Sequence, residues 1–95
     1  QLFRNLTKND GLVSPKISCV LKDKQQNIWV GTYEGGISKI DFVTQTIKNY
    51  TPKEGLSNEN ITSMMQDKAG NIWCGTQDFN LFRMNTDAKT ITHFR

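Results

Sequence analysis

The residues that could recognise a ligand are gathered in two short stretches, where an aromatic ring stands beside a carboxylate or an amide. The first stretch holds Tyr33 and Glu34, and the second holds Gln77, Asp78 and Phe79. Aromatic rings stack on the faces of sugars, while neighbouring carboxylates and amides hydrogen-bond to hydroxyl groups. These five side chains are the candidate ligand-binding residues, and the alternative is that they are ordinary exposed turn residues.

Residues suited to catalysis or metal binding are sparse. His93 is the single histidine, and Cys19 and Cys74 stand far apart without the spacing of a metal site. Their apolar neighbours predict buried free thiols, and the redox compartment stays open. Asp23 and Asp67 could suggest calcium, but each turn offers one carboxylate, whereas calcium takes roughly six or more oxygens. We therefore expect no catalytic residue, no metal and no cofactor.

The distribution of charge excludes two kinds of partner. The 95 residues include 12 Lys and Arg against 9 Asp and Glu, and the basic residues are scattered singly among the acidic ones. A nucleic-acid-binding surface would gather them into a cluster or stripe. No apolar run approaches the roughly 18 residues of a membrane-spanning helix. We expect neither a nucleic-acid partner nor direct membrane contact.

An internal repeat positions the candidate residues. Residues 27–32 (Asn-Ile-Trp-Val-Gly-Thr) recur as residues 71–76 (Asn-Ile-Trp-Cys-Gly-Thr), and the chain overlies itself without a gap at this shift of 44 positions. Tyr33 then falls on Gln77. Positions that differ between the repeats are better ligand candidates than positions that recur, because a binding site does not have to repeat.

Each repeat predicts four short β-strands. Apolar and polar residues alternate with a period of two, and turn residues separate the runs. In the first turn of the second repeat Gly70 suits a left-handed position, which Gln26 has to adopt in the first repeat. Four antiparallel strands in roughly 40–50 residues form a β-propeller blade. The predicted fold is all-β and a fragment of a larger propeller: an outer strand and linker at 1–10, one blade at 11–54 and another at 55–95.

Four recurring residues are assigned to the structural core of the blades. Trp29 and Trp73 occupy the same position in the second strand, where a large ring fills the space between blades. Gly31 and Gly75 follow them, and glycine inside a strand marks the close approach of another group. The alternative for either tryptophan is a ring that stacks on a ligand.

The two repeats resemble the two-component regulator propeller family. The resemblance rests on the run Asp-Lys-Ala-Gly-Asn-Ile-Trp-Cys-Gly-Thr at residues 67–76, preceded by Gly-Leu-Ser at 55–57. In the first repeat it rests on residues 27–32, followed by Gly-Gly-Ile at 35–37. The similarity covers nearly the whole chain, and the residues that carry it are structural.

Four positions depart from the family pattern. Gln26 stands where the family prefers glycine, and Cys74 replaces isoleucine or valine. Phe79 and Asn80 replace a pair of glycines, although asparagine tolerates the left-handed conformation. The turn at residues 77–80 is therefore individual to this chain.

The resemblance implies a cellular role. Such repeats form the periplasmic, extracytoplasmic sensor region of hybrid two-component systems, and many members sense oligosaccharides. By this resemblance the segment is not an enzyme, although its parent chain would be a sensor histidine kinase. The expected partners are neighbouring blades of the same parent chain, or identical copies that complete a ring, together with an oligosaccharide ligand.

Loop geometry places the ligand at one end of the blades. In propellers, the loops from the outer strand to the next blade and from the second to the third strand open on one face. Here they are residues 8–16, 52–60, 33–36 and 77–80. Two other functions remain open: an enzyme of the streptogramin-lyase type, for which His93 alone gives no catalytic set, and a propeller that only binds proteins.

Overall fold

Eight short strands account for nearly all of the regular structure in the part of the chain that is described. A computed structural model describes residues 16–51, 53, 60–85 and 90–94. In chain order the strands are β1 (Ile17–Lys22), β2 (Ile28–Thr32), β3 (Ile37–Asp41), β4 (Thr46–Tyr50), β5 (Ile61–Gln66), β6 (Ile72–Thr76), β7 (Leu81–Met84) and β8 (Ile91–Phe94). Within the described residues, no helix has the length and apolar character needed to cross a membrane.

Each repeat folds as one antiparallel sheet. Strands β1 to β4 lie side by side in chain order, and β5 to β8 do the same. We call the first sheet blade 1 and the second blade 2. The all-β prediction with two four-stranded blades is confirmed, and the strand predicted within residues 1–10 lies outside the described residues.

The first hairpin turn of each blade has the same hydrogen bonds. In blade 2, Asp67 N donates to Asn71 O at 3.0 Å, and Gly70 N donates to Asp67 O at 3.0 Å. Gly70 has a φ of 93°, and its counterpart in blade 1, Gln26, has a φ of 71°. The prediction that Gln26 takes the left-handed position of a glycine is confirmed.

A β-bulge near the start of each inner strand directs one apolar residue to the opposite face. In blade 2, Ile61 pairs with Thr76 and Ser63 pairs with Gly75, with a shift of register between the two pairs. Because adjacent residues of β6 face opposite sides, Ile61 faces blade 1 while Ser63 faces away from it. The same shift separates Ile17 from the next paired residue of β1.

The main core lies between the two blades. Trp29 is buried there and stacks on Tyr50, with 5.8 Å between the ring centroids. The buried members of this core are Trp29, Ile37, Tyr50, Ile61, Ile72, Cys74, Phe82 and Met84. Since both blades contribute to it, each blade covers apolar residues of the other.

Polar contacts fix the register of one blade on the other. The Ser18 hydroxyl donates a hydrogen bond to the Ile61 carbonyl. Lys24 N donates to Gln66 Oε1 at 2.8 Å, and Lys24 Nζ donates to Lys68 O at 2.8 Å. These bonds join the inner strands, β1 and β5, and the hairpin turns that follow them. The hairpins that join the second and third strands therefore lie on the same side of both blades.

Candidate functional site

The candidate ligand-binding residues lie on the hairpins that join the second and third strands. These hairpins are tied to the residues that enter each blade: Tyr33 N donates to Lys16 O at 2.8 Å, and Gln77 N donates to Asn60 O at 3.0 Å. We call residues 16, 33–36, 60 and 77–80 the rim. Residues 8–15, 52 and 54–59 of the loops predicted to join it lie outside the described residues.

Asn60 connects the rim across the boundary between the blades. Its side-chain oxygen Oδ1 accepts a hydrogen bond from Glu34 N at 2.8 Å, while its carbonyl accepts one from Gln77 N. Two candidate residues that are distant in sequence, Glu34 and Gln77, therefore bond to one asparagine. The sequence analysis missed Asn60, and its place at the entry to the second blade was the signal available.

A salt bridge lies at the same place. Lys16 Nζ lies 2.8 Å from Glu34 Oε2, and both side chains are largely exposed to solvent. An exposed pair of this kind adds little to stability, because water screens it. It presents a carboxylate with free lone pairs and an ammonium group at the surface, which suits hydrogen bonds to a polar ligand.

The second hairpin carries its own network of hydrogen bonds. The Thr76 hydroxyl donates to Asp78 Oδ1, and Asn80 Nδ2 donates to Asp78 Oδ2 at 3.0 Å. Asn80 N donates to Thr76 Oγ1 at 3.2 Å. The carboxylate of Asp78 is therefore held in one orientation by side chains of its own turn.

Phe79 is the least expected residue of the rim. Its φ is 66°, so Phe79, and not the adjacent Asn80, adopts the left-handed conformation. In the corresponding hairpin of blade 1, the residues with positive φ are Glu34 and Gly36. The phenyl ring of Phe79 is 98% exposed. A large apolar side chain thus stands in solvent on a backbone conformation that favours glycine.

The recurring aspartates hold the tryptophans of their own blades. Trp29 Nε1 donates to Asp23 Oδ2 at 2.8 Å, and Trp73 Nε1 donates to Asp67 Oδ2 at 2.8 Å. The indole of Trp73 is the main reason why the pKa of Asp67 lies below its usual value of 3.8. The bonds from indole to carboxylate were not predicted from the sequence, although the constant spacing of six residues between aspartate and tryptophan carried the signal.

The two tryptophans differ in burial. Trp29 is buried between the blades, with Lys39 Nζ 5.3 Å from its ring centroid. Trp73 is only partly buried and lines an open groove of about 380 Å³ on the outer face of blade 2. Arg83 lies 5.5 Å from the Trp73 centroid. The sequence did not indicate this groove.

The remaining titratable side chains, the two cysteines and the histidine, do not form a common site. Cys19 and Cys74 are free thiols, and burial, with a smaller contribution from Cys19, raises the pKa of Cys74 far above its usual range. His93 lies on β8 with its ring centroid 6.0 Å from that of Phe82. Among the described residues, no group of three His, Cys, Asp or Glu side chains could hold a metal ion.

Tandem four-stranded blades with a shared core define the class of protein as a β-propeller. The model of the two component regulator propeller family matches residues 11–34 and 55–78, just over half of the chain. The chain belongs to this family.

Solved structures show the same fold. The chain is similar to the extracellular domain of BT4673 from B. thetaiotaomicron, described in one structure as a one component system and in another as a hybrid two component system. Both matches have a TM-score of 0.79 and 22% identity, covering 97% of this chain and 12% of the other. The chain thus spans about an eighth of these relatives. None of the curated proteins compared with the chain matches it.

Proposed function

We propose that this chain is a non-catalytic, ligand-sensing segment of the periplasmic sensor region of a hybrid two-component system, and that the rim binds an oligosaccharide. Membership of the regulator propeller family supports the regulatory role. Similarity to an extracellular domain of a hybrid two component system supports a location outside the cytoplasm. The signal would pass from the propeller to the histidine kinase of the parent chain.

The observation that carries the sugar proposal is the exposed ring of Phe79. Its left-handed backbone has a cost of roughly 1–2 kcal/mol for a residue other than glycine, and its 98% exposed ring gains nothing from burial. Backbone strain of this kind persists mainly where it serves a function. An exposed apolar ring beside the hydrogen-bonded carboxylate of Asp78 is suited to the face and the hydroxyl groups of a sugar.

The rim supplies the other contacts that a sugar needs. Tyr33 offers a second exposed aromatic ring. The carboxylate of Glu34 and the amide of Gln77 lie on either side of the boundary that Asn60 bridges. Polar groups at fixed positions beside aromatic rings are the usual composition of a site for a polar ligand.

The test is a screen of a panel of neutral and acidic oligosaccharides by calorimetry, followed by variants. Phe79→Ala and Tyr33→Ala should each weaken binding of any hit at least fivefold. Val43→Ala is the matched control, because Val43 is an equally exposed apolar turn residue, 91% exposed, on the β3–β4 turn. A hit that binds equally to Phe79→Ala and to the unmodified chain would refute the rim as the site.

A further inference from the structure

Glu34 is held by two residues that occupy the same position in the two repeats. Lys16 precedes β1 and Asn60 precedes β5, at the shift of 44 positions that relates the repeats. Lys16 Nζ lies 2.8 Å from Glu34 Oε2, and Asn60 Oδ1 accepts a hydrogen bond from Glu34 N at 2.8 Å. The carboxylate of Glu34 is therefore held from its own blade, while its backbone is held from blade 2.

The bond from Glu34 N to Asn60 acts on a backbone conformation that is costly to form. Glu34 has a φ of 70°, which is unfavourable for a residue other than glycine. Asp78 is the equivalent residue of blade 2, and its carboxylate is held by Thr76 and Asn80 of its own turn. The orientation of Glu34 thus relies on a contact with blade 2, whereas that of Asp78 is set within its own hairpin.

A second amide of blade 2 makes the same kind of bond at the other end of β5. Gln66 Oε1 accepts a hydrogen bond from Lys24 N at 2.8 Å. Like Asn60, Gln66 is partly buried and joins one end of β5 to a turn of blade 1. Because Gln66 lies away from the rim, a comparison of the two amides separates support of the blade contact from support of ligand binding.

We infer that Asn60 is a positioning residue of the ligand site, which holds Glu34 in the orientation that binds the sugar. Asn60 acts through Glu34: the bond to Glu34 N fixes the turn, and the turn presents the carboxylate beside the Lys16 ammonium. A carboxylate and an ammonium at fixed positions match hydroxyl groups, which both donate and accept hydrogen bonds. Because the bond crosses the boundary between the blades, ligand binding and the blade contact strengthen each other. This inference rests on the proposed function of the rim.

Amide hydrogen exchange of the sugar-free chain, followed by NMR, tests the positioning step. Asn60→Ala should speed exchange of the Glu34 amide at least fivefold, because the amide loses its acceptor. Asn60→Asp keeps an acceptor at the same distance along the side chain and should restore the original rate. Gln66→Ala is the control and should leave the Glu34 amide unchanged. An unchanged rate in Asn60→Ala would overturn the proposal, whether or not any sugar binds.

Calorimetry with neutral tetrasaccharides of glucose, xylose, mannose and galactose tests the effect on binding. Neutral sugars are used because Asn60→Asp adds a charge. Asn60→Ala should weaken binding of the best tetrasaccharide at least fivefold, while Asn60→Asp should restore most of the affinity. Gln66→Ala should keep the affinity within twofold, although its urea midpoint should fall as that of Asn60→Ala does. Equal affinity of Asn60→Ala and the unmodified chain would overturn the proposal.

A double variant separates positioning from direct contact with the sugar. Glu34→Ala removes the carboxylate that Asn60 positions, so Asn60→Ala added to it should weaken binding by no more than a further twofold. A full fivefold loss on top of Glu34→Ala would overturn the positioning role, because Asn60 would then contact the sugar itself. If the unmodified chain binds no tetrasaccharide, the result counts against the proposed sugar site, since the exchange rates decide separately on Asn60.

Discussion

Replacement of Gly31 by alanine should destabilise the protein, whereas the same change at Gly75 should not. The added Cβ at position 31 would lie 2.5 Å from Cys19 Sγ and 2.9 Å from Ile61 Cγ2. Ile61 is fully buried, so it has no free space into which it can move. At position 75 the near atom is Ser63 Oγ, at 2.8 Å. Because Ser63 is exposed, its hydroxyl can rotate away.

The size of the packing cost decides whether each substitution lowers or raises the free energy of unfolding. Overpacking a core costs roughly 1–3 kcal/mol, while replacing glycine inside a strand by alanine recovers about 0.5–1 kcal/mol. The net result for Gly31→Ala is a loss of about 1 kcal/mol in the free energy of unfolding. For Gly75→Ala the packing cost is small, so stability should stay unchanged or rise by about 0.5 kcal/mol.

Urea denaturation followed by tryptophan fluorescence measures the difference. With a slope of about 2 kcal/mol per molar urea, Gly31→Ala should lower the midpoint by about 0.5 M, and Gly75→Ala should leave it in place or raise it. Equal midpoints for the two variants would refute the conclusion that the Ile61 side chain fills the space beside Gly31.

Three further predictions concern single side chains. Because the folded-state pKa of Asp67 is lowered, its contribution to stability is present above its usual pKa of 3.8 and is lost as pH falls below it. Asp67→Asn should therefore flatten the loss of thermal stability that occurs as pH falls below 3.8. Iodoacetamide at pH 8 should leave Cys74 unmodified until urea unfolds the chain, as mass spectrometry of the peptides would show, since burial raises its pKa. Phe79→Gly should raise the free energy of unfolding by about 0.5 kcal/mol, because relief of roughly 1–2 kcal/mol of backbone strain exceeds the roughly 0.5–1 kcal/mol entropic cost of glycine, and it should weaken sugar binding at least fivefold. A urea midpoint that stays unchanged or falls would contradict the strain argument.

The repeat made most of the fold predictable. The strands could be located because the same pattern occurs twice. Gln26 aligns with Gly70 of the second repeat, and this alignment predicted the left-handed conformation of Gln26. The pattern failed where the copies differ. Phe79 and Asn80 both replace glycine, and only the turn geometry selects Phe79 for positive φ.

Long-range contacts were beyond the sequence argument. The bond from Glu34 to Asn60 depends on how one blade sits against the other, which local patterns do not encode. The unequal burial of Trp29 and Trp73 has the same origin, because the two residues have the same local sequence and differ only in what covers them. The sequence of a repeat predicts the structure of its blade, whereas the neighbouring blades decide which of its surfaces are buried.

The central claim is that a sugar binds at the rim of this propeller segment. The most direct measurement is a titration of the isotope-labelled chain with the best oligosaccharide of the panel, followed by amide chemical shifts. The account predicts shifts that saturate and are confined to residues 33–36, 60 and 77–80. Shifts concentrated at the opposite end, around Phe42 and Val43 on the β3–β4 turn, or around the groove at Trp73, would contradict it.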